Sequence, residues 1–542
     1  MKRLLTVSLV ALMIVIMATV AIAAPEKPEL PLAEPGTATL SILSADNWYA
    51  AASFAENLPV YQELEKLTGV SIEWEVVPAD QYGEVRSTRI AAAVNLPDIV
   101  VWPQQLVKMV DDGVYIDLTD LIAENAYYLN QLMEMQPLVR KANSTPDGRI
   151  LGFPGMGEGI LTSYKDMETG IYNDPGANIN LHIPAIRQDW LDKLELETPQ
   201  TLDDWYNVLK AFKEQDPNGN GIADEIPLAV TWSWENLYSF GTAFGLYMTG
   251  NANQWAVKDN AVVFQPFEPE FKDLLGYLNK LYSEGLIDAE YATSTYDLTL
   301  EKITRNVVGS IASEWMSNPP SWTNNLKAAG ISDAEFVSIR EVPDANGLVQ
   351  TTNRWPVFAG DTAITKDCEN PELAVKWLDF HLASPEGIKL QMFGVEGISY
   401  DMVDGTPVFN DFVLNNPQGL GMFEAVRSLG AWGQVSYIQT ADAYRALYAN
   451  SPEIIALSSS YTAEEVRLPF PNLTLIMTSE QTEDFSMYYT DANTYVSEMI
   501  IKFIEGKEPL ENFDSYVSTA RAMGMDQAIQ IYQDAYDAFN AL

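Results

Sequence analysis

Short apolar runs alternate with amphipathic, helix-length stretches along the first hundred residues. Thr39-Leu40-Ser41-Ile42-Leu43 reads as a β-rich run, and helical spacing follows over 61–67 and stops at Gly69. Residues 71–77 alternate as a half-buried strand does, 82–94 are helix-like, and 96–102 return to strand. This β-α-β-α-β order predicts an α/β domain with a largely parallel sheet. In such sheets ligands bind beyond the carboxyl ends of strands, so Asn47, Trp48, Tyr49 and Trp102, each just past a run, are the first candidates. Farther on, helix dominates. Leu274, Leu275, Leu278 and Leu281 recur at helical spacing, with Gly285 where a C-cap belongs, and 371–382 and 491–504 read similarly. No short repeat or Pro/Gly/Ser linker divides the chain, which two lobes joined by several crossing segments would explain.

A leader precedes this pattern. Lys2 and Arg3 stand before apolar residues 4–20, and Ala21-Ile22-Ala23 offers a small-x-small site. A secretory signal over 1–23, cleaved to leave Ala24-Pro25, is expected. The alternative is a retained anchor, because residues 4–24 are about long enough to span a bilayer. No cysteine lies near the site, so the expectation is a secreted protein, periplasmic or extracellular and not lipid-anchored. Pro25, Pro28, Pro31 and Pro35 predict an extended tether over 24–37.

The 542 residues are too many for one core. We expect an N-terminal lobe from 38–155 plus about 300–365, and a C-terminal lobe from about 156–299 plus 366–542. The net charge is −43, and loss of Lys2 and Arg3 would take it to −45. Such a surface repels phosphate backbones and anionic lipid, which argues against nucleic acid or membrane-surface partners. Cys368 is the lone cysteine, and His182 and His381 are the only histidines. Disulfides, Cys-rich zinc sites, His₃ and HExxH sites are thereby excluded. A Ser-His-Asp triad would need one of those two histidines, and neither lies near a Gly-x-Ser-x-Gly turn. His381, in a helical run, is expected at the surface or in a cap.

One motif is sharp. Asp216-Pro217-Asn218-Gly219-Asn220-Gly221-Ile222-Ala223-Asp224-Glu225 places oxygen side chains at loop positions 1, 3, 5 and 9 and glycine at 6, the spacing of an EF-hand calcium loop. Ile222 would lend its carbonyl at position 7. Position 12 is Pro227 where an EF-hand has glutamate, and Glu225 at position 10 is the available substitute. A helix enters, with Thr201 and Asp204 as a capping pair and Leu202, Trp205, Leu209 and Phe212 on one face; an extended segment over 226–230 leaves. The bland reading is an Asn/Gly turn. Three crowded acids without a cation would repel one another, which favours structural Ca²⁺.

With this loop, the stretches Ile186-Arg187-Gln188-Asp189-Trp190-Leu191-Asp192-Lys193-Leu194 and Thr198-Pro199-Gln200-Thr201-Leu202 resemble the extracellular solute-binding proteins of ABC importers, in the LplA-like group that includes alginate-oligosaccharide-binding proteins. Residues 95–99, 147–154, 277–288, 394–400 and 503–506 match as well, so the resemblance covers nearly all of the chain after the leader. It implies an α/β, two-lobed, type II periplasmic-binding fold, each lobe a mixed sheet flanked by helices, closing around an oligosaccharide. It also implies a calcium ion held by Asp216, Asn218, Asn220, Ile222, Asp224 and Glu225, away from the sugar, and delivery to membrane permease subunits by a monomer without catalysis. Many relatives carry a lipobox cysteine, which this chain lacks.

Sugars offer apolar C–H faces to aromatic rings and hydroxyls to polar side chains. With 13 Trp and 26 Tyr available, the candidates at strand ends or in loops are Trp48, Tyr49, Trp102, Trp232, Trp234, Trp315, Trp355 and Trp432. For any single tryptophan, core packing is the competing reading; Trp74, inside an alternating strand, is assigned to the core. Two other functions stay open: a secreted glycoside hydrolase, since 75 acids could pair by chance, and a sensor subunit that presents ligand to a receptor. The negative surface favours a neutral oligosaccharide over a polyanionic one.

Overall fold

The alternating runs of the first hundred residues pair as their pattern predicts. In the computed structural model, which describes residues 25–47, 52–171, 182–248, 254–350, 357–433, 435–449, 451–461, 466–467 and 475–542, β1 (Ala38–Ala45) lies parallel to β2 (Val70–Val77) and β3 (Ile99–Val101). Helices Pro59–Thr68 and Ala79–Ala92 make the crossovers. The first ends at Gly69, whose φ of 73° and tight approach to the Ala33 carbonyl leave no room for a Cβ. There follow β4 (Phe153–Leu161), β5 (His182–Arg187), β6 (Ile226–Ala229), β7 (Val308–Trp315), β8 (Phe336–Ser338), β9 (Phe358–Ile364) and β10 (Ile438–Thr440).

These strands form two principal sheets, ordered β10-β4-β9-β3-β1-β2 and β8-β5-β7-β6. The first is mixed, not largely parallel, because β9 runs antiparallel to both of its neighbours. In the second, β6 is parallel to β7, while β5 is antiparallel to β7 and β8. The chain passes between sheets after β4, after β8 and again after β10. The last passage leads to the helix Ser479–Ile504, whose Ala492, Val496, Ile500 and Phe503 join the core of the second sheet. Two crossing segments pair in parallel, Val349–Gln350 with Val466–Arg467. Multiple passages of this kind are why no single flexible linker is written in the sequence.

The two cores divide the chain differently from the sequence reading. β7, within the stretch assigned to the first lobe, fills the slot between β5 and β6 of the second sheet. The helix Pro371–Ala383, assigned to the second, packs Val375, Trp377, Leu378 and Phe380 into the first core. Composition did not mark these exchanges, because buried segments of either core carry the same aliphatic residues. The Pro-rich segment expected as a tether also docks: Leu32 and Ala33 pack on the first core and the Ala33 N–H donates to the Thr68 carbonyl at 3.1 Å. His381 is fully buried, contrary to expectation. Its ring stacks on Trp377 at 5.0 Å, an apolar setting that drops its pKa to about 3 and keeps it neutral. The leader 1–23 lies outside the described residues; among the described residues no helix is long and apolar enough to cross a membrane.

The second core is packed most tightly beneath β7. A Cβ on Gly309 would lie 2.5 Å from Phe212 and 2.8 Å from Trp190, both fully buried. Gly309→Ala is therefore expected to cost about 1–3 kcal/mol through overpacking and to lower the melting temperature measured by circular dichroism; an unchanged melt contradicts the packing described.

Candidate functional site

Beyond the end of β6 the backbone turns left-handed at Trp232, φ 60°. The parallel register that sets Ala229 opposite Ile311, carried three residues on, puts Trp232 opposite Glu314 at the end of β7. The indole Nε1–H of Trp232 donates to both carboxylate oxygens of Glu314 at 3.2 Å, and the Trp315 N–H donates to Oε1 at 2.8 Å. Thr231 and Asn318 side chains also donate to this carboxylate. Tyr296, first residue of the helix Tyr296–Thr304, stacks on Trp232 with centroids 4.6 Å apart and planes 26° from parallel. Glu314 is 0 % exposed, and loss of water around it lifts its pKa to about 7 against these donors.

The first sheet repeats the arrangement. Trp102 follows β3 directly with φ 51°. The antiparallel register of Val101 with Thr362 sets it opposite Asp361 on β9. Its N–H donates to the Asp361 carbonyl at 2.7 Å, and its side chain hydrogen-bonds the Asp361 carboxylate, which also accepts from Ser436 Oγ at 3.3 Å. Asp361 keeps an edge open to solvent, yet desolvation of its carboxylate raises it to about 7. Arg86 donates to the Trp102 carbonyl and lies over the Tyr82 ring, 4.9 Å from its centroid.

One helical turn links the two clusters. On the helix Met422–Arg427, the charge of Glu424 reaches Tyr296, and that of Arg427 reaches Tyr437, which also feels Asp361. Burial first, then the charges of Glu314, Glu424 and Asp297, push the Tyr296 hydroxyl up to about 12. Burial also raises Tyr437, against the lowering effect of Arg427. Glu424 and Arg427 are three residues apart, roughly 5 Å along a helix, so charges on one helical turn act on both clusters. Asn47, just past β1, joins it by donating from Nδ2 to the Arg427 carbonyl at 2.7 Å.

Of the aromatic candidates, Trp102 and Trp232 belong to this region, both half-buried. Trp315 is half-buried and meets His182 edge-on at 5.0 Å. Two expectations are corrected. Trp234 is 8 % exposed and packs edge-on against Tyr238 in the second core, because the 3-10 turn it opens faces inward. Trp432 is 2 % exposed and is held between Phe423 and Tyr444, its indole donating to the Met392 carbonyl at 2.7 Å; the Gly-flanked loop around it folds into the core. Trp48, Tyr49 and Trp355 lie outside the described residues. Sequence reading missed Asp361, Glu314, Tyr296, Glu424, Arg427 and Tyr437. Glu314 alone left a signal, an acid closing an otherwise apolar strand.

The candidate calcium loop joins the helix Leu202–Glu214 to β6. The helix starts with the predicted capping box: the Asp204 N–H donates to Thr201 Oγ1 at 3.1 Å, and the Thr201 N–H donates to Asp204 Oδ2 at 3.0 Å. Asp216 accepts from the Asn220 N–H at 3.1 Å and the Gly221 N–H at 3.0 Å, and Asp224 accepts from the side chains of Asn218 and Asn220 at 3.1 and 3.0 Å. Gly221 takes φ 74° with open space around it, the conformation the loop demands. Ile222 is exposed, and its carbonyl accepts from the Asp224 N–H at 2.9 Å. Oε1 of Glu225 is buried without a hydrogen-bond donor, and burial together with the nearby Asp216 and Asp224 raises its pKa. Among the described residues no three His, Cys, Asp or Glu side chains are drawn together as a metal cage. The loop offers a mixed set of carboxylates, amides and a carbonyl, which is chemistry suited to a hard cation.

The family model of bacterial extracellular solute-binding proteins matches residues 171–388. The chain is 25% identical over 523 residues to the fructooligosaccharide ABC transporter substrate-binding protein FusA of Streptococcus pneumoniae serotype 4, covering 93% of this chain and 91% of that one. It is 26% identical over 494 residues to the polygalacturonan/rhamnogalacturonan-binding protein YtcQ of Bacillus subtilis, covering 88% and 87%. Among solved structures, the alginate-binding protein AlgQ2 without calcium ion aligns with a TM-score of 0.74 at 24% identity, covering 94% of this chain and 100% of that one. FusA of S. pneumoniae in complex with kestose aligns at 0.72 and 23%, covering 93% and 99%. The fold is thus the two-lobed, type II periplasmic-binding architecture.

Burial holds both histidines near 3, so neither titrates near neutrality. Glu314 and Asp361 do, and each faces an indole. Their other ionisable neighbours are Tyr296 at Glu314, and Tyr437 and Tyr82 at Asp361, all raised above the neutral range. Below about pH 7 a proton on either carboxylate takes one acceptor from its tryptophan. Intrinsic tryptophan fluorescence of the ligand-free protein is expected to change between pH 8 and 6 with a midpoint near 7, and to lose most of that change in the Glu314→Gln/Asp361→Asn double variant. A flat titration contradicts the site electrostatics.

Proposed function

We propose that this chain, which belongs to the bacterial extracellular solute-binding proteins, captures an oligosaccharide between its two lobes and hands it unchanged to the permease of an ABC importer. The observation that carries the reading is the pair of half-buried tryptophans, one just past a strand of each sheet, each bonded through its side chain to a carboxylate and set against a tyrosine. A pyranose or furanose ring stacked on such an indole buries its C–H face, while hydroxyls at its rim reach polar groups around the ring. Lobe closure removes water from both faces at once. FusA is named for fructooligosaccharides and YtcQ for polygalacturonan and rhamnogalacturonan, both polymeric sugars. Family members bind solutes for transport and are not enzymes, and Glu314, whose oxygens are already taken by protein donors, has no free acid or base role. The strong negative charge favours a neutral sugar. The protein is secreted through residues 1–23, acts outside the membrane and works as a monomer.

Asp216, Asn218, Asn220, the Ile222 carbonyl, Asp224 and Glu225 hold a structural calcium ion. A bound cation would supply the positive charge that relieves the crowding of the three acids and gives Glu225 Oε1 a partner. The loop enters β6 at one end and Trp232 follows from the other, roughly 20 Å away along extended chain. The ion therefore braces the strand and does not touch the sugar. Structures of relatives include AlgQ2 without calcium ion and an EF-hand mutant of FusA.

Isothermal titration calorimetry against kestose, maltotriose, cellotriose and trigalacturonate tests the ligand. A neutral trisaccharide is expected to bind one to one and be recovered intact by chromatography. Trp232→Ala should weaken it at least tenfold, about 1.4 kcal/mol; binding unaffected by this change, or cleavage of the sugar, contradicts the reading. Separately, chelation by EGTA is expected to lower the melting temperature of the wild type and to leave Asp216→Ala unmoved, since the ion stabilises only the folded state. Equal melts with and without EGTA would count against the calcium site.

A further inference from the structure

We infer that Glu314 and Asp361 are paired positioning residues, each holding one indole of the binding cleft in the orientation that receives a sugar face. This inference rests on the oligosaccharide reading and extends it to two residues that do not themselves need to touch the ligand.

Four observations carry it. In each sheet the tryptophan lies just past a strand whose register, extended beyond its last paired residue, leads to the acid: from Ala229 opposite Ile311 to Trp232 and Glu314 in the parallel pair, from Val101 opposite Thr362 to Trp102 and Asp361 in the antiparallel one. Both tryptophans hold a left-handed backbone, at φ 60° and 51°, which is strained for a non-glycine residue and persists only where surrounding contacts impose it. Each indole N–H is spent on the acid: on both oxygens of Glu314 at 3.2 Å, and on the Asp361 carboxylate. Each ring is braced by a tyrosine, Tyr296 stacked behind Trp232 at 4.6 Å and Tyr82 edge-on to Trp102 at 6.2 Å. Two sheets of different strand order have thus reached one device by different pairings, which a requirement of core packing alone does not call for.

The physical effect is orientational. A bare tryptophan at a strand end can rotate about χ1 and χ2, and freezing it on binding costs conformational entropy. An indole already tied to a buried carboxylate pays none of this at the moment of binding. The ring's faces stay apolar because its one polar atom is turned into the protein. Such a pair of platforms suits uncharged rings with exposed C–H faces. It places two carboxylates just beneath the stacking surfaces, which disfavours a ligand carboxylate on either ring.

The test labels the protein with 5-fluorotryptophan and reads ¹⁹F NMR, in which the Trp232 and Trp102 signals are identified by their loss in Trp232→Phe and Trp102→Phe. In the ligand-free protein, Glu314→Gln is expected to shift or broaden the Trp232 signal and Asp361→Asn the Trp102 signal, with the other resonances in place to show that the fold is kept. Affinity for the trisaccharide bound by the wild type should fall about tenfold in each acid variant. Each Trp→Phe/acid double variant should bind no more weakly than its Trp→Phe parent, since the acid acts only through the indole N–H. Unmoved ¹⁹F signals, or losses that add in the double variants, overturn the inference. If the wild type binds none of the four sugars, the oligosaccharide reading fails while the ¹⁹F arm still decides whether the acids hold the rings.

Discussion

A carboxylate cannot be buried at a strand end without donors to meet it, and most of this site follows from how that constraint is satisfied. Glu314 closes a strand whose other residues are almost all buried, where an unpaired charge would cost several kcal/mol. It is met by an indole, two side-chain donors and a backbone N–H. Meeting it fixes the direction of Trp232, and Trp232 in turn gives Tyr296 a surface to stack on. Asp361 does the same for Trp102 from the other sheet. The proposed binding surface is thus assembled from within, by electrostatic satisfaction of buried acids.

The strand that delivers Trp232 is also the strand that leaves the candidate calcium loop. Anchoring its first residue limits fraying of β6, and its last residue sets the origin of the Trp232 turn. Stability at one end and recognition at the other share a strand without sharing atoms. The passages between sheets play the corresponding part at the scale of the whole molecule. Several chain segments cross, and two of them pair as Val349–Gln350 with Val466–Arg467, which ties the crossing chains to one another. A protein that must close on a ligand and reopen needs such a junction.

Much of the fold was legible in residue patterns. Alternation over 71–77 and helical spacing at Leu274, Leu275, Leu278 and Leu281 gave elements the structure contains, Val70–Val77 and Pro269–Ser283, because local burial sets both periods. The capping pair Thr201 and Asp204 was legible for the same local reason. The assignment of segments to lobes was not. β7 and the helix Pro371–Ala383 exchange partners through contacts more than a hundred residues apart, and an aliphatic run carries no label for its sheet. Trp102 and Trp232, picked as following strands, stand half-buried just past strand ends, whereas Trp234, also picked as following a strand, and Trp432, picked in a Gly-flanked loop, are buried in the cores. What separates the two kinds is the partner of the indole N–H: a strand-end carboxylate for Trp102 and Trp232, a backbone carbonyl in the core for Trp432. That partner depends on register across strands, which is a property of the folded sheet.

The most direct test of the central claim is a crystal structure of the protein with a bound neutral oligosaccharide. The account predicts a single ligand chain enclosed between the lobes, with one ring lying flat on Trp232, another on Trp102, and both indole N–H groups still on Glu314 and Asp361. A sugar seated elsewhere on the surface, or rings in the cleft that touch neither tryptophan, would contradict it.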